Sequence, residues 1–335
     1  MSGGSLEIGY RGDIVVHHHH IELRSFQPLG LAALAVVLAL SWNGDAPMAA
    51  AAAAKQQTFA APEQAVAALI AASRAGDTTD LSTILGPGSR KLLFSGDAVA
   101  DRQGRLHFVA AFDEMHKIVG AGDAKAELEI GKDDWPFPIP LVKDGEVWRF
   151  DTKAGAQEII ARRIGRNELA AIRVCRAYVD AQRDYAANGL SGSELLEYAQ
   201  HFMSRAGKHD GLYWPPETGI AESPMGPLIA QARAEGYAGA GDHASREPYH
   251  GYYYRILTRQ GKSAPGGAYD YIVNGHMIGG FALVASPAKY GDSGVMTFIV
   301  NQDGVVYQKD LGRNSAALAR HMTAYDPGPG WQVQK

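Results

Sequence analysis

The sequence predicts an α+β protein in which helices and antiparallel strands occupy successive parts of the chain. Apolar residues recur with helical spacing early in the chain and again in its middle, and the last third consists of strand-like runs separated by tight-turn residues. The 335 residues carry a formal net charge of −4 and hold one cysteine. This composition is typical of a globular protein, excludes an intrachain disulfide framework, and shows no basic excess that would favour nucleic acid as a partner.

Residues 1–54 are interpreted as a signal peptide with an extended N-terminus. Leu29–Leu40 is an uncharged apolar run, too short to span a membrane but suited to the hydrophobic region of a secretory signal. Alanines from Ala49 onward offer cleavage sites, and His17–His20 is read as an expression tag or as part of an over-extended start. We expect a periplasmic or secreted protein that is not a lipoprotein and keeps no stable transmembrane anchor after processing. The alternatives are a retained N-terminal anchor and a buried core helix.

An N-terminal α+β domain is expected over residues 55–152. The predicted helices begin at Pro62, cover Asp80–Leu85 and cover Gly104–Val119. The predicted strands, of which the last two are joined by an Asp-Gly turn, are Ala124–Ile130, Phe137–Val142 and Val147–Phe150. This order of elements resembles cystatin-like or NTF2-like cone folds, in which helices pack on a curved sheet. The analogy concerns the fold alone and assigns no function.

A helical connector is expected over residues 153–190. Its apolar spacing predicts two helices, because Gly165 is read as a break and Asn167 as the N-cap of the second helix. Leu169 is predicted on the buried face of that second helix. The charged residues predicted on its solvated face are Arg173, Arg176, Asp180 and Arg183.

Two further parts complete the predicted organisation. Residues 191–250 are expected to be irregular and rich in loops, with a short helix at Pro227–Gly236. Residues 251–335 are expected to form a β-rich domain, an antiparallel meander closed by a tail helix at Ala316–Met322. The meander is expected to have four or five strands, namely 251–258, 281–285, 295–300 and 305–308, with 269–273 as the optional fifth.

Six phrases of the sequence carry a specific resemblance that extends over almost the whole chain after residue 54. They are Phe59–Ala65, Asp210–Pro215, Gly251–Gly261, Gly279–Ala285, Tyr290–Phe298 and Asn301–Gly312. Together they resemble the bacterial DUF2950 family, whose members are exported proteins without an assigned activity. The resemblance implies export and supplies no catalytic residues. A fainter similarity links the C-terminal sheet to pilin-like proteins, but the long N-terminal assembly helix of pilins is missing, so a filament subunit is not expected.

Aromatic residues near the start of the β-rich part form the most unusual cluster of the sequence. Alternation along a strand places Tyr252 and Tyr254 on one face and Tyr253 on the other. Such rings are suited to protein partners or to glycans, while plain sheet packing is the alternative interpretation. The candidate binding surface comprises Trp214, His250, Tyr252, Tyr254, Tyr269 and Tyr271.

Motifs of catalysis and metal binding give little support to an enzyme. His201, His209 and His243 are weak candidates for a metal site, because their spacing matches no known ligand pattern. After residue 54 the sequence contains no Gly-x-Ser-x-Gly motif and no P-loop, and Asp292–Gly294 is read as a hairpin loop. No cofactor is therefore predicted.

The function predicted from these observations is that of a non-enzymatic binding or assembly module of the cell envelope. Its partner would be an envelope protein or a glycan, and the oligomeric state is left open. The alternative is a cell-envelope hydrolase with an unrecognised site in the loops of residues 201–250. A weaker alternative is a periplasmic carrier of a small ligand that uses the cone-like N-terminal unit.

Overall fold

A computed structural model describes residues 55–192, 194–237 and 247–334. The predicted signal peptide and His243 lie outside the described residues. The helices of the described residues are α1 (Pro62–Ala75), α2 (Thr78–Leu85), α3 (Ser89–Leu93), α4 (Ala98–Glu114), α5 (Thr152–Ala187), α6 (Gly226–Ala234) and α7 (Ser315–His321). A 3₁₀ turn at Gly312–Asn314 leads into α7.

The strands confirm the predicted α+β class. They are β1 (His116–Gly120), β2 (Lys125–Ile130), β3 (Trp135–Pro136), β4 (Leu141–Asp144), β5 (Val147–Phe150), β6 (His201–Met203), β7 (Gly211–Tyr213), β8 (Tyr252–Leu257), β9 (Arg259–Gln260), β10 (Tyr269–Asp270), β11 (Ile272–Val273), β12 (His276–Met277), β13 (Ala282–Pro287), β14 (Met296–Asn301), β15 (Tyr307–Asp310), β16 (Ala324–Tyr325) and β17 (Gln332–Val333). Two five-stranded antiparallel sheets contain most of them, in the orders β1-β2-β4-β5, with β3 beside β2, and β17-β15-β14-β13-β8. Two short pairs, β6 with β7 and β9 with β16, are parallel.

The N-terminal sheet and the helices before it share one hydrophobic core. Leu69 of α1, Leu81 of α2, Leu128 of β2 and Phe150 of β5 are all buried in it. The predicted Asp-Gly hairpin is confirmed, since β4 pairs with β5 across that turn. The preceding predicted strand is interrupted after Phe137, whose N–H donates to the Leu128 carbonyl at 2.7 Å. Pro138 and Pro140 lack the N–H groups that a ladder needs, and β4 begins at Leu141.

The third predicted helix of this part, Gly104–Val119, begins and ends earlier in the structure, where it is α4. Asp97 starts α4 by accepting a hydrogen bond from the Ala100 N–H at 2.9 Å, so the helix begins six residues before Gly104. The predicted last turn of that helix is wrong, because residues 116–120 form β1, with Ile118 opposite Leu128 of β2. Gly104 is therefore an interior residue of the helix.

The predicted break in the helical connector is also wrong. α5 is one continuous helix of 36 residues, with Gly165 and Asn167 in its interior. The Asn167 side chain does not cap a helix; its Nδ2 donates to the Ser293 carbonyl at 2.9 Å. Leu169, predicted to be buried, is 57% exposed. The stretch before Gly165 and the stretch after it continue a single helical repeat, because glycine lowers helix stability without ending the helix.

The C-terminal sheet confirms four strands of the predicted meander, whereas residues 269–273 form β10 and β11, which pair with β9 and β12 outside this sheet. Strands β8, β13, β14 and β15 pair antiparallel in a continuous ladder, with Tyr254 opposite Ala285 and Phe298 opposite Gln308. All six residues of β13 are buried, as the apolar run predicts for a central strand. This sheet and the second half of α5 form a second hydrophobic core. Both cores lie in one compact unit, Ala51–Lys335, and the predicted domain boundaries remain predictions.

Within the described ranges, no helix combines the length and the apolar composition that crossing a membrane requires.

Candidate functional site

A large cleft separates α4 from the first part of α5. Its volume is about 1150 Å³, slightly above the usual range of small-molecule sites. The floor is formed by α1, α2, α3 and the edge of the N-terminal sheet, and one end is closed by residues 234–237 and His250. The cleft is thus built mostly from the N-terminal part and completed by residues from the C-terminal part.

The helix α4 packs over this open space. A surface helix of a globular protein normally buries an apolar stripe, yet none of the 17 residues of α4 is buried. Phe108, Ala111 and Phe112 pack against the N-terminal core while staying partly exposed. The helix ends are held by the Asp97 cap and by the ion pair between Arg74 and Asp113. The face of α4 that carries Phe108 and Ala111 therefore borders the cleft.

Two glycines, one in each bordering helix, widen the cleft. Gly104 of α4 and Gly165 of α5 both line it, both have helical backbone angles, and a Cβ atom on either would meet nothing within 4 Å. Gly155, in the same helix as Gly165, differs, because a Cβ there would lie 2.2 Å from the Pro138 carbonyl oxygen. Packing requires Gly155, whereas Gly104 and Gly165 weaken their helices and leave the cleft open.

Apolar side chains cover the floor and one end of the cleft. They come from five helices and from the N-terminal sheet, and the rings of Phe108 and Phe137 lie 5.1 Å apart. Trp135 stands at this end beneath the guanidinium of Arg162, which lies 4.9 Å from its ring and also pairs with Glu158 at 2.6 Å. The apolar residues that line the cleft include Leu69, Leu81, Leu85, Leu92, Phe108, Ile130, Phe137, Ile139 and Ile159.

Arginines dominate the other part of the lining. Five arginines border the cleft against two carboxylates, Asp101 and Glu235, although the whole chain has a net charge of −4. The lining arginines are Arg105, Arg162, Arg163, Arg166 and Arg173. Among the described residues, no ion pair joins Arg105, Arg166 or Arg173 to a carboxylate. A cleft lined by one sign of charge concentrates the field and attracts the opposite sign.

Arg163 is the deepest of these arginines and is 7% exposed. Its Nη2 donates to the Lys91 carbonyl at 2.8 Å, while its buried Nη1 has no hydrogen-bond partner among the described residues. The nearest carboxylate oxygen is Oδ1 of Asp101, 3.7 Å from Nη1. Burial lowers the pKa of the guanidinium and raises the pKa of the Asp101 carboxyl. The pair is therefore desolvated without a direct hydrogen bond between its members.

A hydrogen-bonded network closes the end of the cleft near His250. The buried Asp97 carboxylate accepts from the Tyr237 hydroxyl at 2.9 Å and from the Gly251 N–H at 2.8 Å. The His250 N–H donates to the Tyr237 oxygen at 3.2 Å, and His250 Nε2 lies 3.1 Å from Oε2 of Glu235. The start of α4 is thereby tied to the segment that leads into β8.

The imidazole of His250 sits in a partly dehydrated site. Burial lowers its pKa, and the carboxylates of Glu235 and Asp97 only partly oppose this shift, while Arg173 adds to it. His250 also holds a backbone φ of +49°, a conformation that non-glycine residues adopt infrequently. The lowered pKa favours the neutral ring at pH 7, and the ring lies 4.2 Å from the Tyr249 ring at an angle of 50°.

The predicted aromatic residues do not form one surface. Tyr252 and Tyr271 are fully buried, and Trp214 is almost so, with its Nε1 bonded to the Ala221 carbonyl at 2.9 Å. Tyr254 is half-buried, and Tyr269 is exposed beside Tyr271. These rings belong mainly to the C-terminal core.

Of the six candidate residues, His250 alone lines the cleft. Any surface role of the others falls to Tyr254 and Tyr269, because they are the two that keep exposed area. The candidate surface as a whole stays a prediction.

Two of the weak metal candidates, His201 and His209, do not line the cleft. His201 is exposed on β6, and the His209 ring packs 4.7 Å from the Trp214 ring. In the part of the chain that the structure describes, no group of three or more His, Cys, Asp or Glu side chains is arranged to hold a metal ion. Ser293 lies buried in the β13–β14 connection, with its Oγ bonded to the Lys289 backbone at 2.9 and 3.2 Å.

Most residues that line the cleft were not predicted as site residues from the sequence. Arg163, Arg166 and Arg173 recur at intervals of three and seven residues, which places them on one side of a helix. That spacing was detectable, but an exposed charged face has the same pattern. The more specific signal is the pair of interior helix glycines, Gly104 and Gly165, which no local packing explains.

Fold and cleft together define an α+β protein with a ligand-sized cavity between two helices. The model of one family, described as "Protein of unknown function (DUF2950)", matches residues 56–334, and the chain belongs to this family. No curated protein and no solved structure matches the chain. The similarity to pilin-like proteins stays a prediction.

Proposed function

We propose that this chain is an exported, non-enzymatic binding protein of the bacterial envelope that holds a small ligand in the cleft between α4 and α5. The observation that carries the proposal is the cleft itself, about 1150 Å³ in volume and bordered by two helices that each place an unconstrained glycine against it. Small-molecule sites have this combination of size, apolar lining and a few convergent polar groups. The proposal combines two predictions made from the sequence. The non-enzymatic binding module was the main one, and the carrier of a small ligand was the weaker alternative.

Export is the less direct part of this proposal. Its support is the apolar run Leu29–Leu40 followed by alanine-rich cleavage sites. Fractionation of the native bacterium, followed by N-terminal sequencing of the protein recovered, tests it. A mature N-terminus near residue 55 in the periplasm or medium is expected, whereas an unprocessed chain in the cytoplasm would contradict export.

Ligand binding is tested on the protein as purified from the bacterium. Native mass spectrometry, with extraction of bound small molecules, is compared between the unaltered chain and the variants Gly104→Phe and Gly165→Phe. Each variant places a ring in the cleft at a residue whose Cβ has free space, so both are expected to fold. Co-purified ligand should be present in the unaltered chain and lost in both variants. Equal recovery from all three proteins would contradict the proposed site.

A further inference from the structure

The two halves of the cleft differ in chemistry, and this difference limits what kind of molecule fits. One part is bordered by leucine, isoleucine and phenylalanine side chains, whereas the other is bordered by Arg163, Arg166 and Arg173. A purely apolar ligand would leave the arginines without a partner, and a small polar ion would leave the apolar walls in contact with water. Neither class uses the whole site.

The two halves lie one after the other along α4. Asp101, which faces Arg163, is near the start of the helix, and Ala111, which faces the apolar end, is ten residues further on. At about 1.5 Å per residue, this separation is about 15 Å. The cleft therefore accommodates an elongated molecule with a charged end and an apolar body.

Arg163 supplies the strongest sign of a missing partner at the charged end. Its Nη1 is buried and has no hydrogen-bond acceptor among the described residues. A buried charged donor without an acceptor is unfavourable. Arg166 and Arg173 follow on the same side of α5, exposed at the rim, and add positive charge around it.

On these grounds we propose that the cleft binds an amphipathic anion, a molecule with an acyl-type apolar chain and a carboxylate or phosphate head group. The head group pairs with the exposed guanidinium groups of Arg166 and Arg173 in the field of the buried Arg163, while the chain extends along α4 over the apolar floor. This inference rests on the proposed function, because it names the class of ligand for the same site.

The test compares four probes that share a twelve-carbon chain and differ in the head group. Dodecanoate, dodecyl phosphate, dodecanol and dodecyltrimethylammonium are titrated into the delipidated protein below their micellar concentrations. A charge-assisted hydrogen bond predicts that the better anion binds at least about tenfold more tightly than dodecanol. The cationic probe should bind more weakly than dodecanol. The ratio between the two anions distinguishes a carboxylate from a phosphate ligand.

Matched substitutions locate the head group. Arg166→Gln and Arg173→Gln should each reduce anion affinity several-fold and leave dodecanol binding unchanged. Arg176→Gln is the control, because Arg176 is an exposed arginine of the same helix that does not line the cleft. Asp101→Asn keeps an acceptor for the Ser95 N–H and removes a like charge from the head-group site, so it should tighten anion binding.

The outcomes separate this inference from the proposed function. Equal affinity for dodecanoate, dodecyl phosphate and dodecanol, blocked by Gly165→Phe, would overturn the anionic head group and leave a ligand-binding cleft standing. A loss of anion affinity in Arg176→Gln equal to that in Arg166→Gln would also overturn it. Failure of every probe to bind would overturn the inference, and the co-purified ligand would then decide the proposed function alone.

Discussion

The C-terminal and N-terminal parts of this protein differ in how completely side chains fill the space between their elements. In the C-terminal sheet, large aromatic rings fill the interior, and every residue of β13 is buried. In the N-terminal part, a 17-residue helix buries none of its residues and borders a cleft of about 1150 Å³. The contrast shows that the tyrosine-rich strands belong to a filled core, whereas two glycines inside helices, Gly104 and Gly165, border open space.

The largest expected effect tests the filled core. Tyr252 is fully buried, its hydroxyl donates to the Met296 carbonyl at 2.9 Å, and its ring lies 5.8 Å from Phe298. Tyr252→Ala should lower the free energy of unfolding by about 3–5 kcal/mol, measured by guanidinium denaturation. Tyr269→Ala is the control and should change it by about 0.5 kcal/mol or less, because that ring is exposed. A loss below about 1 kcal/mol for Tyr252→Ala would contradict the filled core.

A smaller loss is expected where a helix glycine is required by packing. Gly155→Ala introduces a Cβ atom 2.2 Å from the Pro138 carbonyl oxygen, so the backbone of one segment must shift. We expect the free energy of unfolding to fall by about 1–3 kcal/mol. Denaturation of the variant and the unaltered chain side by side measures it, and an unchanged midpoint would show that the contact is looser than described.

A glycine-to-alanine substitution ten residues further along α5 should instead increase the free energy of unfolding. Gly165→Ala meets no atom within 4 Å and replaces a poor helix former with the best one. The free energy of unfolding should rise by about 0.5–1 kcal/mol, and Gly104→Ala should behave alike. Destabilisation by either change would mean that the cleft side of these helices is occupied by protein.

The smallest effect concerns pH and the network at the end of the cleft. Burial lowers the pKa of His250 from its usual value of 6.5, so the unfolded chain binds more protons than the folded chain between that value and the lowered one. Stability supplied by the neutral ring is therefore complete above pH about 6.5 and decreases as the pH falls through this window. His250→Asn tolerates the positive φ and removes the titrating group.

This prediction is measured as the difference in unfolding free energy between the unaltered chain and His250→Asn from pH 7.5 down to 5. The groups that surround the ring, Glu235, Asp97 and Arg173, are the same in both proteins and largely cancel in the difference. The stability of the unaltered chain should fall relative to the variant as the solution becomes more acidic. A difference that is flat across this range would show that the pKa of His250 is not lowered.

Local sequence patterns predicted four strands of the C-terminal meander to within a few residues, because the strands are apolar runs and an Asp-Gly turn joins β14 to β15. The Asn-Gly turn at residues 274–275 instead joins β11 to β12 in a separate pair. The same kind of local pattern gave the wrong bounds for α4 and a false break in α5. Gly165 and Asn167 carry the usual signs of a helix end, yet α5 continues through them, and Asn167 bonds to Ser293, which is distant in sequence, instead of capping a helix. Residues 116–120 were assigned to a helix because their apolar spacing fits both periods.

The cleft was not predictable from the sequence, since it lies between two helices, α4 and α5, that are separated in sequence by five strands. Arg163, Arg166 and Arg173 look like a solvated helix face until α4 is placed opposite them. Tyr252 and Tyr271 were candidates because of their side-chain type, and the structure places both in the core. His250 was the one candidate that reaches the cleft, since the turn before β8 brings it beside Glu235.

The most direct test of the account is to find which of the two regions a bound amphipathic anion touches. Dodecanoate carrying a diazirine at its methyl end is bound, photolysed and mapped by peptide mass spectrometry. We expect label on the peptides that contain Leu81, Phe108 and Phe137, and its loss in Gly165→Phe. Label concentrated around Tyr254 on the C-terminal sheet, or unchanged by Gly165→Phe, would contradict the account.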